Sequence, residues 1–368
     1  MKKKCSIVIL LMLLLSACGQ SEEKYLTSLG VEKMNVNSDF SKTHEMVNTD
    51  EGVYKLEDFV GVQYIEWSTG KSLALCSKPN CSHFGEECNA YLSTPHYIYA
   101  YGDYMYIVAD SSDNLGMSLY RISFDGNEKD ELYKLVQFDE NDSDKVSLYY
   151  QFIIHKGYGY FVCNRTYNDL ETEFETPVYK IELKKNGEMK EIFSVKGYDN
   201  AVFFCGKNDT GIYVKNNSIK DISKRPYEKS CDNYYIDVTS GEVECIEELE
   251  NKGLYSVNGD CGYYVDGTKY MMFNFKDKSL KEIIDCGTEY EVFYDEKYMY
   301  VDTHIGVSIN ELPLSERIIY VYTYDGELVK TYEGLKDSAV VAIKDDNLMI
   351  MEESEEDGSS VFSIKNME

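Results

Sequence analysis

The sequence predicts an all-β fold built from repeated four-stranded antiparallel sheets. Three observations support this prediction. A turn followed by a short apolar or aromatic triplet recurs along the whole chain, a second turn signal follows most of these triplets, and no long stretch with helical periodicity appears outside the amino-terminal segment. The 34 tyrosines, set against only 5 prolines, also suit half-buried strands better than a disordered chain.

The triplets mark a repeat of roughly 50 residues, a length typical of the units of repeat proteins. Each triplet follows a turn signal such as Gly102-Asp103, and alternating residues on both sides of that turn predict a hairpin. We expect the tyrosines of the second strand of each hairpin to pack between neighbouring sheets. The triplets are Gly52-Val53-Tyr54, Tyr104-Met105-Tyr106, Tyr158-Gly159-Tyr160, Gly211-Ile212-Tyr213, Gly262-Tyr263-Tyr264, Tyr298-Met299-Tyr300 and Asn347-Leu348-Met349.

A second hairpin completes a four-stranded unit in every repeat except the last. Its turns lie at Thr69-Gly70, Asp125-Gly126, Asn186-Gly187, Ser240-Gly241, Asp277-Lys278 and Asp325-Gly326. The seven units predict a seven-bladed β-propeller of four-stranded antiparallel blades. The blades are expected at residues 43–76, 96–137, 148–196, 199–249, 252–286, 289–333 and 337–368.

The seventh blade ends after its third strand, near Ile364. A strand from the other end of the chain would cover the open edge that this leaves, and Val31–Asn37 is a candidate for it. The alternative is that this segment is a flexible tether.

Residues 1–17 have the features of a signal peptide. Three lysines at positions 2–4 precede an apolar run from Ile7 to Leu15, which is too short to span a membrane. The sequence Leu15-Ser16-Ala17-Cys18 resembles the bacterial lipobox. This resemblance implies cleavage before Cys18 and attachment of lipid chains, such as palmitate, to that cysteine.

Two acyl chains would anchor Cys18 stably in a lipid bilayer. We therefore expect a protein on the extracytoplasmic face of the cell membrane. Its parts would be a signal peptide (1–17), a lipidated N-terminus with the tether or closing strand (18–42) and the propeller domain (43–368). The alternative is an ordinary secretory signal in which Cys18 is incidental.

The formal net charge of −28 limits the classes of partner. Such a chain repels nucleic acid and anionic lipid headgroups, so we expect no nucleic-acid partner. Cationic partners or metal ions fit this charge better. The alternative is that the acidic surface only keeps the protein soluble and monomeric.

Four residues form a candidate metal site: Cys76, Cys81, His83 and Cys88, in the spacing C-x₄-C-x-H-x₄-C. Three thiols and one imidazole in one loop suit a closed tetrahedral zinc site with a structural role. The spacing is not that of a standard zinc finger. In an extracytoplasmic protein, a disulfide between two of the cysteines or a set of free thiols are the alternatives.

The segment Leu75–His83, continued by Cys88–Tyr91, resembles a pattern found in uncharacterised propeller-like lipoproteins of anaerobic Gram-positive bacteria. The resemblance implies an exported propeller lipoprotein and carries no activity with it. It covers only this short part of the chain.

No catalytic motif appears in the sequence. The G-x-S-x-G, H-E-x-x-H, Walker and complete EF-hand patterns are absent. The acidic run Asp139–Asp144 lacks the glycine and distal glutamate of a calcium loop, so a solvated acidic loop is favoured. We predict a non-catalytic binding module for a protein, peptide or glycan. The alternative is a carbohydrate-active hydrolase or lyase on a propeller scaffold, because a pair of catalytic carboxylates needs no sequence motif.

The long connections of the predicted propeller all fall on one face, opposite the short hairpin turns, which suggests a contact surface there. These connections are expected as loops at residues 77–95, 138–147, 164–177, 215–232 and 302–317.

Replacing Cys18 tests the predicted lipid anchor. We expect Cys18→Ser to be released to the medium or to remain unprocessed, because the lipid-bearing thiol is gone. Incorporation of labelled palmitate and fractionation of cells would measure this, with Cys5→Ser, inside the predicted signal peptide, as the control. Label still incorporated by Cys18→Ser would contradict the prediction.

Overall fold

Antiparallel strands make up most of this protein. The computed structural model describes residues 45–58, 60–113, 116–137, 146–167, 172–285, 291–294, 297–302, 318–333, 339–344, 347–353 and 360–366. The helical content of these ranges is one 3₁₀ turn at Glu247–Leu249. None of their helical segments has the length and apolar character needed to cross a membrane. The all-β prediction is confirmed, whereas Cys18 and Val31–Asn37 lie outside the described residues.

Successive strands pair antiparallel with their chain neighbours, and we call each such run a meander. Meander 1 contains β1 (Met46–Asn48), β2 (Gly52–Glu57), β3 (Gly61–Glu66) and β4 (Ser72–Ala74). Meander 2 contains β5 (Pro95–Tyr101), β6 (Tyr104–Asp110), β7 (Gly116–Ser123) and β8 (Lys129–Gln137). Meander 3 contains β9 (Val146–His155), β10 (Tyr158–Tyr167), β11 (Glu173–Glu182) and the first half of β12 (Met189–Lys207).

Meander 4 contains the second half of β12, β13 (Gly211–Asp221), β14 (Glu228–Asp237) and β15 (Val243–Cys245). Meander 5 contains β16 (Leu254–Asn258), β17 (Cys261–Asp266), β18 (Lys269–Asn274) and β19 (Leu280–Asp285). Meander 6 contains β20 (Glu291–Tyr294), β21 (Tyr298–Asp302), β22 (Ile319–Thr323) and β23 (Leu328–Tyr332). Meander 7 contains β24 (Ala339–Lys344), β25 (Asn347–Glu353) and β26 (Ser360–Asn366).

Strand β12 belongs to two meanders at once. It pairs with β11 up to Tyr198 and with β13 from Tyr198 onward, and the pairing with β13 shifts register between Tyr198 and Ala201, where Asp199 has a positive φ of 50°. The sequence predicts two separate blades here, at 148–196 and 199–249. Only residues 197 and 198 lie between those ranges, which leaves no room for a loop.

The second strand of each meander carries the predicted triplet, and the third residue from the start of that strand is buried in every case. These residues are Tyr54, Tyr106, Tyr160, Tyr213, Tyr263, Tyr300 and Met349. In meander 5 the strand starts at Cys261, so the predicted triplet Gly262-Tyr263-Tyr264 is one residue out of step. Because Tyr263 and Tyr264 are adjacent, the sequence does not show which of them is the third residue of the strand.

Apolar clusters join the meanders in chain order. One cluster joins meanders 1 and 2, one joins 2, 3 and 4, one joins 4 and 5, one joins 5 and 6, and the last joins 6, 7 and 1. In the last cluster, Val53 and Ile65 of meander 1 pack with Val340 and Leu348 of meander 7. The final meander is therefore packed against the first.

Polar contacts support the junction between meanders 7 and 1. The side-chain amide of Asn48 donates to the carbonyl of Ile343 at 3.1 Å, and the Lys344 ammonium lies 3.4 Å from the Asp50 carboxylate. Within the described residues, no strand is shared between these two meanders.

In meanders 1 and 2, the turn between the third and fourth strands contacts the backbone of the preceding meander. Gly126 of meander 2 approaches the carbonyl of Leu75, and Gly70 of meander 1 approaches the carbonyl of Phe362 in meander 7. A methyl group on Gly70 would lie 2.6 Å from that oxygen, and Gly70 has a φ of +69°. Both the backbone conformation and the close approach require glycine there.

Two of the predicted long loops are mostly strand. Residues 164–177 contain the ends of β10 and β11, and residues 215–232 contain the ends of β13 and β14. Of the other three, 77–95 is irregular up to the start of β5, while 138–145 and 303–317 lie outside the described residues. The two connections are polar, and several of their buried side chains, such as Asn164, Thr176 and Asn216, are polar too, so they lack the apolar alternation by which strands are recognised.

Gly70→Ala tests the closure between meanders 7 and 1. Gly241→Ala is the matched control, because Gly241 occupies the same turn of meander 4 with a φ of +77° but has no atom within 4 Å of the added methyl group. The left-handed backbone costs each variant about 1–2 kcal/mol. Overpacking should cost Gly70→Ala a further ~1–3 kcal/mol. Equal losses of unfolding free energy in urea would contradict this.

Candidate metal centre

The four predicted ligands lie in the connection between β4 and β5. We call residues 76–91 of this connection the cysteine loop. The amide of Leu75 still donates to Val62 of β3, at 2.9 Å, after which the chain leaves the sheet. Asn80 and His83 then adopt positive φ values of 60° and 57°. These left-handed residues turn the loop back on itself.

The cysteine loop brings all four predicted ligands together. The ligand atoms of Cys76, Cys81, His83 and Cys88 all lie within 4.8 Å of one another. The Cys88 Sγ is 3.9 Å from His83 Nδ1, and the backbone amide of His83 lies 3.4 Å from Cys81 Sγ. Cys88 is buried, and Cys76 and Cys81 are half-buried. The four residues that the sequence groups within one loop therefore also lie close together in the structure.

The cysteines of the described residues are not bonded to one another. Cys163, Cys205 and Cys245 lie outside the cysteine loop, in β10, β12 and β15. Cys286 lies outside the described residues. In the parts of the chain that the structure describes, the four residues of the cysteine loop are the one group of three or more His, Cys, Asp or Glu side chains close enough to hold a metal ion.

The environment of the cluster favours a thiolate at Cys76. Burial raises the pKa of Cys76, but hydrogen bonds from the backbone amides of Lys78 and Asn89 and from the other two thiols outweigh it and lower the pKa to about 6. Burial raises the pKa of Cys88 to about 11. The thiolate is the form that binds metal, so Cys76 is favoured as a ligand, whereas Cys88 must release a proton when it binds.

The cysteine loop is fastened to both adjoining meanders. The amide of Val62 in meander 1 donates to the carbonyl of Ala90 at 2.9 Å. On the other side, the buried side-chain amide of Asn89 donates to the carbonyls of Gly126 and Asn127 in meander 2, at 2.9 and 2.8 Å. The loop therefore bridges meanders 1 and 2.

Lys129 adds a positive charge beside the cluster. Its ammonium donates to the carbonyls of Cys88 and Tyr91, at 3.3 and 2.9 Å. Burial lowers its pKa, while the Cys88 thiol beside it acts in the opposite direction. The sequence does not point to Asn89 or Lys129, because their roles depend on how the loop sits against meander 2.

The histidines outside the cysteine loop do not join it. His96 pairs with Asp110 at 3.0 Å across the end of meander 2. His155 is buried, and burial together with the nearby Lys207 lowers its pKa to about 4, so the ring stays neutral. His44, His304 and the acidic run 139–144 lie outside the described residues.

Comparison with known proteins shows a β-propeller fold. No protein-family model matches the sequence, and no curated protein matches it significantly. The chain is similar to a prolyl endopeptidase, at 10% identity and a TM-score of 0.52, over 94% of this chain and 49% of that one. It is similar to the β-propeller domain of the Trilobed protease from Pyrococcus furiosus, at 9% identity and a TM-score of 0.50, over 90% of this chain and 96% of that one.

An acylaminoacyl peptidase from Pyrococcus horikoshii is also similar, at 11% identity and a TM-score of 0.51, over 89% of this chain and 51% of that one. The chain thus spans about half the length of the two peptidases and nearly all of the solved propeller domain. At these identities the likeness shows the fold alone.

Asn89→Ala tests the attachment of the cysteine loop to meander 2. The substitution removes two hydrogen bonds and leaves the carbonyls of Gly126 and Asn127 without this donor. We expect it to cost about 1–3 kcal/mol of unfolding free energy. Asn217→Ala, on an exposed position of β13, is the control and should cost about 0.5 kcal/mol or less. Indistinguishable urea midpoints would show that the loop is not held through Asn89.

Proposed function

We propose that this protein is a lipid-anchored, seven-bladed β-propeller on the extracytoplasmic face of the cell membrane that binds a protein, peptide or glycan without catalysis. Each meander is one blade in this proposal. The recurrence of the triplet and the packing of meander 7 on meander 1 support the blade number. The lipobox-like segment around Cys18 supports the anchor.

The observation that carries the binding role is a projection from meanders 3 and 4. The second strands β2, β6 and β17 have 6, 7 and 6 residues, whereas β10 and β13 have 10 and 11. Three or more additional residues extend a strand by about 10 Å. We call the start of β11, the middle of β12 around Tyr198, the end of β13 and the start of β14, with the 222–227 turn, the β11–β14 extension.

Buried asparagines hold the β11–β14 extension in one conformation. The side chain of Asn164 both donates to the carbonyl of Val202, at 2.8 Å, and accepts from its amide, at 2.6 Å. Asn200 donates to the carbonyl of Phe174 at 3.1 Å and accepts from the Asn216 amide at 3.3 Å. A surface ordered in advance loses little entropy on binding, which suits a recognition surface.

The tip of the extension carries groups common in binding sites. The Arg225 guanidinium lies over the Tyr227 ring, 3.7 Å from its centroid. Lys224 pairs with Glu228 at 2.8 Å, so the tip presents both signs of charge. Arginine and tyrosine are enriched among the residues that dominate binding energy.

Substitutions at the tip test the proposal. We expect Arg225→Ala and Tyr227→Ala each to weaken binding by about tenfold or more. Lys185→Ala, in an exposed turn at the opposite end of meander 3, is the matched control and should bind normally. The readout is binding of the purified protein to peptide and glycan arrays and to cells.

The same binding measurements also test the two competing interpretations, a site on the opposite face and a carbohydrate-active enzyme. Loss of binding in Lys185→Ala with the tip variants unaffected would place the site on the other face. Release of cleaved products from a bound glycan would favour the carbohydrate-active hydrolase or lyase instead.

A further inference from the structure

We propose that Cys76, Cys81, His83 and Cys88 bind one zinc ion, which fastens meander 1 to meander 2. The proposal is independent of the binding role of the β11–β14 extension. It rests on the donor atoms, their spacing and the groups around them.

The spacing of the donor atoms fits a tetrahedral ion after a small contraction. Zinc binds thiolate sulfur at about 2.3 Å and imidazole nitrogen at about 2.0 Å, so neighbouring ligand atoms of a tetrahedral site with three sulfurs and one nitrogen lie roughly 3.5–3.8 Å apart. The four ligand atoms here lie within 4.8 Å of one another, and Cys88 Sγ is 3.9 Å from His83 Nδ1. Side-chain rotations are enough to close a gap of this size.

A metal ion accounts for all four residues, whereas a disulfide accounts for two. A disulfide needs two sulfurs about 2.0 Å apart and leaves the third thiol and the imidazole without a role. The cysteine loop instead gathers three sulfurs and one nitrogen around a common point. Sulfur and imidazole ligands together suit zinc better than calcium or magnesium, which prefer oxygen.

Backbone amides and a lysine lie around the sulfur atoms. Backbone amides of Lys78 and Asn89 hydrogen-bond to the Cys76 sulfur, and those of Ala90 and Tyr91 hydrogen-bond to the Cys88 sulfur. Three thiolates around one zinc ion leave a net charge of about −1, because the ion brings two positive charges. The Lys129 ammonium, bound to the Cys88 carbonyl, opposes that charge. Such surrounding groups orient metal ligands and tune their affinity.

The ion would have a structural role and would hold meanders 1 and 2 together. Four protein ligands leave no open position, which is the mark of a structural rather than a catalytic zinc site. The cysteine loop has little regular structure, since β4 ends at Ala74 and β5 starts at Pro95. Asn89 and Ala90, next to the ligand Cys88, make the contacts to meanders 2 and 1. Binding of the ion therefore fixes both contacts at once.

Metal analysis of the full chain tests the proposal. The protein is purified without a histidine tag and its zinc content is measured by mass spectrometry. We expect about one zinc per chain, falling at least tenfold in Cys81→Ser and unchanged in Cys245→Ser, an exposed cysteine outside the loop. We also expect chelation to lower the melting temperature of the wild type and not that of Cys81→Ser.

A second measurement keeps the test decisive if Cys81→Ser does not fold. Cobalt added to the chelated wild type should give the visible absorption of a tetrahedral thiolate site. Absence of that absorption overturns the proposal. So does a purified chain without zinc in which peptide mapping finds two cysteines of the loop joined by a disulfide. Zinc retained by a folded Cys81→Ser would also overturn it.

Discussion

Each meander of this protein must bury both of its faces, and the rest of the architecture depends on that requirement. Neighbouring residues on a strand point to opposite faces. In β2, Val53 packs towards meander 7 and Tyr54 packs towards meander 2, and both are buried. Met299 and Tyr300 divide in the same way between meanders 5 and 7. A linear series of meanders would leave one apolar face exposed at each end. Here the last meander covers the free face of the first.

Within the described residues, side chains make the junction between meanders 1 and 7. Val53, Ile65, Val340 and Leu348 supply an apolar contact like those between other neighbours, and Asn48 adds one hydrogen bond. Within these residues the junction therefore depends on side-chain contacts, without the backbone ladder that a shared strand would supply. The prediction that Val31–Asn37 completes meander 7 remains a prediction.

The sequence predicts the features that depend on alternation along a strand and misses those that depend on contact between units. Turn residues and buried triplets place the hairpins, because a strand with both faces buried must carry large apolar residues at adjacent positions. The cysteine spacing likewise predicts the cluster of Cys76 and its partners. The end of β13 and the start of β14 escape detection because they are largely polar, and one of their buried side chains, Asn216, is an amide. Asn89 and Asn164 escape because their partners belong to other units, and no local pattern marks a buried amide.

The continuous strand β12 limits how this protein can change over time. The described connections from meander 1 to meander 2 and from meander 4 to meander 5 lie outside the strands, so an added or deleted residue there would leave the strand pairing in place. In β12 a single insertion within a paired run would turn the side chains that follow it to the opposite face, up to the next register shift. Because they share this strand, meanders 3 and 4 form one continuous unit, and gene duplication or domain shuffling would have to copy or exchange them as a pair.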